Sequence, residues 1–113
     1  MSGTQDALVG LAVHYWKLCA AFERELGFAD PDRAQAGAAQ LRFARRKLDS
    51  MLDDAGFRLV TFDGEAWTPE VPASPLNADD VGAGAALVGS TVEPTIIGAD
   101  GVVHAGKILL AQD

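Results

Sequence analysis

The chain has 113 residues, of which 49% are hydrophobic and 22% charged, with a formal net charge of −7 and a single cysteine. That length suits one domain, or one small domain with a helical arm, and the composition is that of a globular rather than a disordered protein. A lone Cys19 excludes an intrachain disulfide and any multi-cysteine metal site, and it fits a reducing setting. The charge is uneven: residues 1–57 hold seven Lys/Arg and eight Asp/Glu, residues 58–113 hold two and eight. A second half this acidic repels phosphate backbones and argues against nucleic acid; it suits a basic protein partner or simple solubility. The N-terminal MSGTQDALVG lacks a basic segment followed by an apolar run. No apolar stretch approaches the roughly 20 residues of a membrane helix. The expectation is a soluble, cytoplasmic chain without membrane contact.

Thr4 to Leu26 reads as a first helix, with Thr4 as N-cap and Asp6 in the first turn, where the helix dipole favours an anion. Leu8, Leu11, Tyr15, Leu18 and Phe22 step by three and four residues in a heptad-like seam. Val9, Ala12, Trp16 and Cys19 widen it. A helix apolar over so broad a face packs on two neighbours, or on one neighbour and a second subunit. Gly27 to Pro31 ends this helix and starts the next, with Asp30 as N-cap and Pro31 at the first helical position.

The second helix is expected from Pro31 to Ala55, with Ala34, Ala38, Leu41, Ala44, Leu48, Met51 and Ala55 as its inner face. A short connection makes the two helices an antiparallel hairpin. Arg42, Arg45, Arg46 and Lys47 form a basic cluster, read as a solvated face, in which Arg45 and Asp49 have i,i+4 spacing.

Gly56 follows as a glycine helix stop, and the periodicity changes. Phe57, Leu59, Val60 and Phe62 read as a short strand, closed by an Asp63-Gly64 turn. Residues 70–89 read as a long loop, proline-punctuated and then glycine-rich, with Asn77 to Asp80 able to cap a short helical turn. Its glycines match no phosphate-binding pattern. Val92, Thr95, Ile96 and Ile97 form one expected strand, interrupted early by Pro94. After a Gly98 to Gly101 turn, Val102-Val103 and Lys107 to Leu110 return. The fold class is α+β: an N-terminal antiparallel helical hairpin (1–56), then a small antiparallel β domain (57–113) with a long loop at 70–89.

Candidate chemistry is sparse. His14 and His104 lie in different halves, and neither has a neighbouring Asp, Glu or Cys at metal-ligand spacing. Cys19 sits on an apolar helix face, where a thiol is inert packing. No nucleophile elbow is present, so neither catalysis nor a cofactor is expected. Trp67, between a turn and Pro69, fits either a core plug or an exposed contact anchor. His104, in the last hairpin, suits an exposed contact.

From the end of the second helix onward, the chain resembles GrpE-type nucleotide exchange factors. Leu48, Leu52 and Gly56 match the family's helix end. Gly64-Glu65-Ala66-Trp67-Thr68-Pro69 resembles Gly-x-x-Phe-Asp-Pro, and Gly101 to Ile108 resembles the closing segment Gly-x-Val-Leu-Arg-Pro-Ala-x-Val. The likeness spans roughly residues 41–110 and is degenerate. Trp67 replaces Phe, Thr68 replaces Asp, His104 takes the place of the family arginine, and the first helix is far shorter than the usual stalk.

The resemblance implies a co-chaperone whose β domain docks on the ATPase of a DnaK-type chaperone and opens its nucleotide cleft. Trp67, Pro69, His104 and Lys107 would make the contact. It also implies helices that dimerise, here through Leu8, Leu11, Tyr15, Leu18 and Phe22. The alternative is a non-catalytic adaptor or assembly subunit whose hairpin inserts into a larger complex. A lipoyl-like reading of Gly101 to Leu110 requires a lysine at a hairpin tip, whereas Lys107 falls within an expected strand.

Overall fold

A computed structural model of the chain describes residues 3–81 and 86–112. The centre of the glycine-rich stretch, residues 82–85, lies outside the described residues. The chain divides into two compact units, Met1–Gly56 and Phe57–Asp113, and its class is α+β, a helical hairpin followed by small sheets.

Helix α1 spans Gly3–Leu26 and α2 spans Pro31–Asp54. Gly3 is already helical, so Thr4 lies inside the first turn rather than capping it. Asp30 does fix the start of α2. Its backbone is extended, its side chain accepts from the Arg33 amide at 2.9 Å, and Pro31 follows. Between the helices, Gly27, Phe28 and Ala29 donate to the carbonyls three residues earlier, which closes the end of α1.

The helices run antiparallel. The Tyr15 hydroxyl donates to the Ala44 carbonyl at 3.0 Å, and Leu26 lies over Gly37. Buried between them are Ala12, Val13 and Cys19 from α1, and Gly37, Leu41, Leu48 and Leu52 from α2. The inner face of α2 is therefore rotated from the expected one: Met51 is 43% exposed and Ala55 lies beyond the helix, whereas Leu52 is 1% exposed. Gly37 faces α1 on this side, and a Cβ there would meet the Leu26 side chain. Arg45 pairs not with Asp49 but with Glu23 across the hairpin, at 3.0 Å.

Gly56, at φ 86°, takes the left-handed conformation that releases the chain from α2. The second unit holds β1 (Arg58–Val60), β2 (Ala73–Pro75), a 3-10 turn (Ala78–Asp80), β3 (Ala86–Glu93), β4 (Thr95–Gly98), β5 (Gly101–His104) and β6 (Gly106–Gln112). They form two three-stranded sheets, ordered β1-β4-β5 and β2-β6-β3. The first is antiparallel throughout. In the second, β3 is antiparallel to β6 but β2 is parallel to it, so the β domain is not purely antiparallel.

Two further expectations are corrected here. The 70–89 segment is not one loop: it contains β2, the 3-10 turn and the start of β3. Asn77 extends the β2 ladder through its side chain, donating to the Leu110 carbonyl at 3.0 Å and accepting from the Leu110 amide at 2.8 Å. Nor do Val92 and Ile97 share a strand. Pro94 is buried and lacks an N–H, and the chain crosses there from β3 in one sheet to β4 in the other. One core cluster of the unit is Ala73, Val88, Ile108 and Leu110, with Phe62, Trp67, Val71 and Val81 packed against it, and Ile96 of β4 is also fully buried.

Candidate docking surfaces

The crossover at Pro94 gathers the polar groups of the β unit. Thr95 is 1% exposed, and its hydroxyl donates to the Pro72 carbonyl at 2.7 Å while accepting from the Gly106 amide at 3.0 Å. A buried hydroxyl satisfied on both sides ties the start of β4 to β6 and to the strap leading into β2. Beside it, Glu93 ends β3 in register with Lys107 of β6. Its carboxylate meets His104 Nε2 at 3.1 Å and Lys107 Nζ at 3.8 Å. Two of the anticipated contact residues, His104 and Lys107, are thus brought together by a third that sequence reasoning missed. Glu93 offers a weak signal in sequence, because its pairing with Lys107 depends on two irregularities in the β3–β6 ladder.

Trp67 and Pro69 belong to a different neighbourhood. Gly64, at φ 86°, turns the chain so that residues 64–67 run along β3. The Gly64 amide donates to the Val88 carbonyl, Val88 to Glu65, and Trp67 to Ala86, at 2.7–2.9 Å. Thr91 donates a further hydrogen bond to Asp63 across this ribbon. The Trp67 ring is half-buried against the Val88–Ile108–Leu110 cluster, and Pro69 is exposed. Of the two roles left open for Trp67, its ring helps close the core, and only its outer part faces solvent.

The helical unit presents a separate apolar surface. Leu11 and Leu18 are each 71% exposed and Phe22 41%. Leu8 and Tyr15 of the same seam are half-buried, and Tyr15 is held by its bond to Ala44. Tyr15, Leu18, Cys19 and Phe22 of α1 face Gln40, Leu41 and Ala44 of α2 across a groove of about 420 Å³. Cys19 is buried at its floor. Burial pushes its thiol pKa up, partly opposed by the Arg45 guanidinium, which makes it a poor nucleophile at neutral pH.

His14 lies exposed on α1, away from this floor. Among the described residues no group of three His, Cys, Asp or Glu side chains converges to hold a metal ion, and no helix is long and apolar enough to cross a membrane. Compared with known proteins, the chain matches no family model, no curated sequence and no solved structure.

Proposed function

We propose that the protein is a GrpE-like co-chaperone that promotes nucleotide release from the ATPase of a DnaK-type chaperone, with its β unit as the docking element. The observation that carries this reading is the order of elements over the region of resemblance. A helix stops at a left-handed Gly56, a short strand follows at Arg58–Val60, Gly64 makes the turn before Trp67 and Pro69, and the last two strands bring His104 of β5 and Lys107 of β6 to the carboxylate of Glu93. The mechanism is differential binding. A partner held more tightly in its open, nucleotide-free state is shifted toward that state by docking, without covalent chemistry and without a cofactor. We assign self-association to the exposed seam of α1, where Leu11, Leu18 and Phe22 of one copy meet the second copy in a homodimer, and we place the protein in the cytoplasm.

The test is release of a fluorescent ADP analogue from a DnaK-type ATPase domain. The reading expects release to accelerate at least tenfold when the protein is added, with the effect reduced by His104→Ala. An unchanged release rate at saturating protein would refute it. The exposure of Leu11 and Leu18 also favours a second reading, a non-catalytic adaptor whose hairpin inserts into a larger complex. That reading expects co-purification with partners indifferent to ATP in the wash.

A further inference from the structure

Glu93 lies deeper than the two donors it holds: its side chain is 13% exposed, against 28% for His104 and 49% for Lys107. It stands in the β2-β6-β3 sheet, whereas His104 ends β5 in the other sheet. The carboxylate therefore fixes two side chains that reach the surface from different sheets. We propose that Glu93 is a positioning residue for the docking surface, one that sets how His104 and Lys107 are offered to a protein partner. The proposal rests on the docking reading above.

Two consequences of the geometry support it. An ionised carboxylate only accepts hydrogen bonds, so His104 meets Glu93 through an Nε2–H donor, which fixes the orientation of the ring. Lys107 lies within ion-pair range of the same carboxylate, at 3.8 Å, and an ammonium drawn toward that position in advance loses less entropy on binding. The surface then presents an oriented imidazole beside an ammonium group. It fits a partner surface that offers a carboxylate or carbonyl to Lys107.

The experiment uses Glu93→Gln in the full chain, with two readouts. In the free protein, mild acylation followed by mass spectrometry compares Lys107 with the exposed Lys47 as internal reference. Loss of the anionic partner should raise the relative labelling of Lys107 about threefold, with the circular dichroism unchanged. In binding to a nucleotide-free DnaK-type ATPase domain, Glu93→Gln should weaken affinity roughly three- to tenfold. That loss should vanish in a Lys107→Met, His104→Ala background, because an effect acting through those residues cannot outlive them. A loss that persists undiminished in that background would overturn the proposal in favour of a purely structural role. Wild-type protein that binds normally while Glu93→Gln binds equally well overturns the proposal alone. Wild-type protein that does not bind at all overturns the docking reading and this role with it.

Discussion

Replacing Gly106 with alanine should unfold the β unit more readily than any single methyl elsewhere in it. Gly106 has no left-handed backbone requirement; what it lacks is room. A Cβ there would lie 2.4 Å from the Glu93 carbonyl oxygen, 2.8 Å from Thr95 Oγ1 and 2.9 Å from the Pro94 carbonyl carbon. Two of these are backbone atoms, which cannot swing aside as a side-chain tip can. Relief requires β6 to move away from the crossover, and that movement stretches the Gly106 amide's bond to Thr95, itself bonded to Pro72. Overpacking of this kind costs about 1–3 kcal/mol, and one or two weakened hydrogen bonds add about 1 kcal/mol each. The expected loss is therefore roughly 2–5 kcal/mol, a fall in Tm of roughly 10 °C or more for a unit of this size.

The assay is urea unfolding followed by tryptophan fluorescence in a Trp16→Phe background, which leaves Trp67 as the sole reporter and places it in the β unit. Gly10→Ala serves as control. It sits mid-helix with nothing within 4 Å of the added methyl, and should be neutral or stabilising by about 0.5–1 kcal/mol. A Gly106→Ala midpoint within about 0.5 kcal/mol of the parent, less than one typical hydrogen bond, would refute the steric reasoning.

Other consequences are as direct. For the homodimer proposed above, Leu18→Glu, at a position 71% exposed in the single chain, should leave the helical content intact and raise the dissociation constant at least tenfold, about 1.4 kcal/mol, by sedimentation. Equal sedimentation of mutant and wild type would remove α1 from the interface. Asn77→Ala deletes both side-chain bonds to the Leu110 backbone and should cost about 1–3 kcal/mol in the same urea assay; no loss would mean that solvent replaces them. Cys19 should react with a thiol reagent at pH 8 more slowly than in the unfolded chain, because the side chain is buried and burial raises its pKa. The sign of the linked stability follows. The folded chain keeps the thiol proton to higher pH than the unfolded chain, so this contribution is fully present below the ordinary thiol value and is lost as pH rises above it. Alkaline unfolding curves of wild type and Cys19→Ala should differ accordingly.

Local chemistry made much of the architecture legible. Asp30-Pro31 carries its own capping logic, Gly56 and Gly64 sit where a left-handed residue is needed, and Gly98 to Gly101 closes a hairpin with Gly101 at φ 124°. These are interactions between residues a few positions apart, and sequence encodes them directly. The rotation of α2 was not legible, because it depends on contacts with the other helix, such as that of Gly37 with Leu26.

The β unit divides along the same line. Alternation and turn residues marked its strands, but not which sheet each would join. Pro94 reads as an interruption within one strand; only the tertiary structure makes it a crossing between two sheets, since its missing N–H is harmless where no ladder continues. The parallel pairing of β2 with β6, the Asn77 extension and the Glu93–His104–Lys107 group all join residues brought together by that crossing. Gly106 is decided in the same way, by distant backbone that leaves a methyl no space. By itself, the sequence determined the two helices and, through Asp30 and Gly56, where the second starts and stops, because those depend on near neighbours. The choice of sheet and register was left to contacts between distant segments, which exist only once the chain has folded.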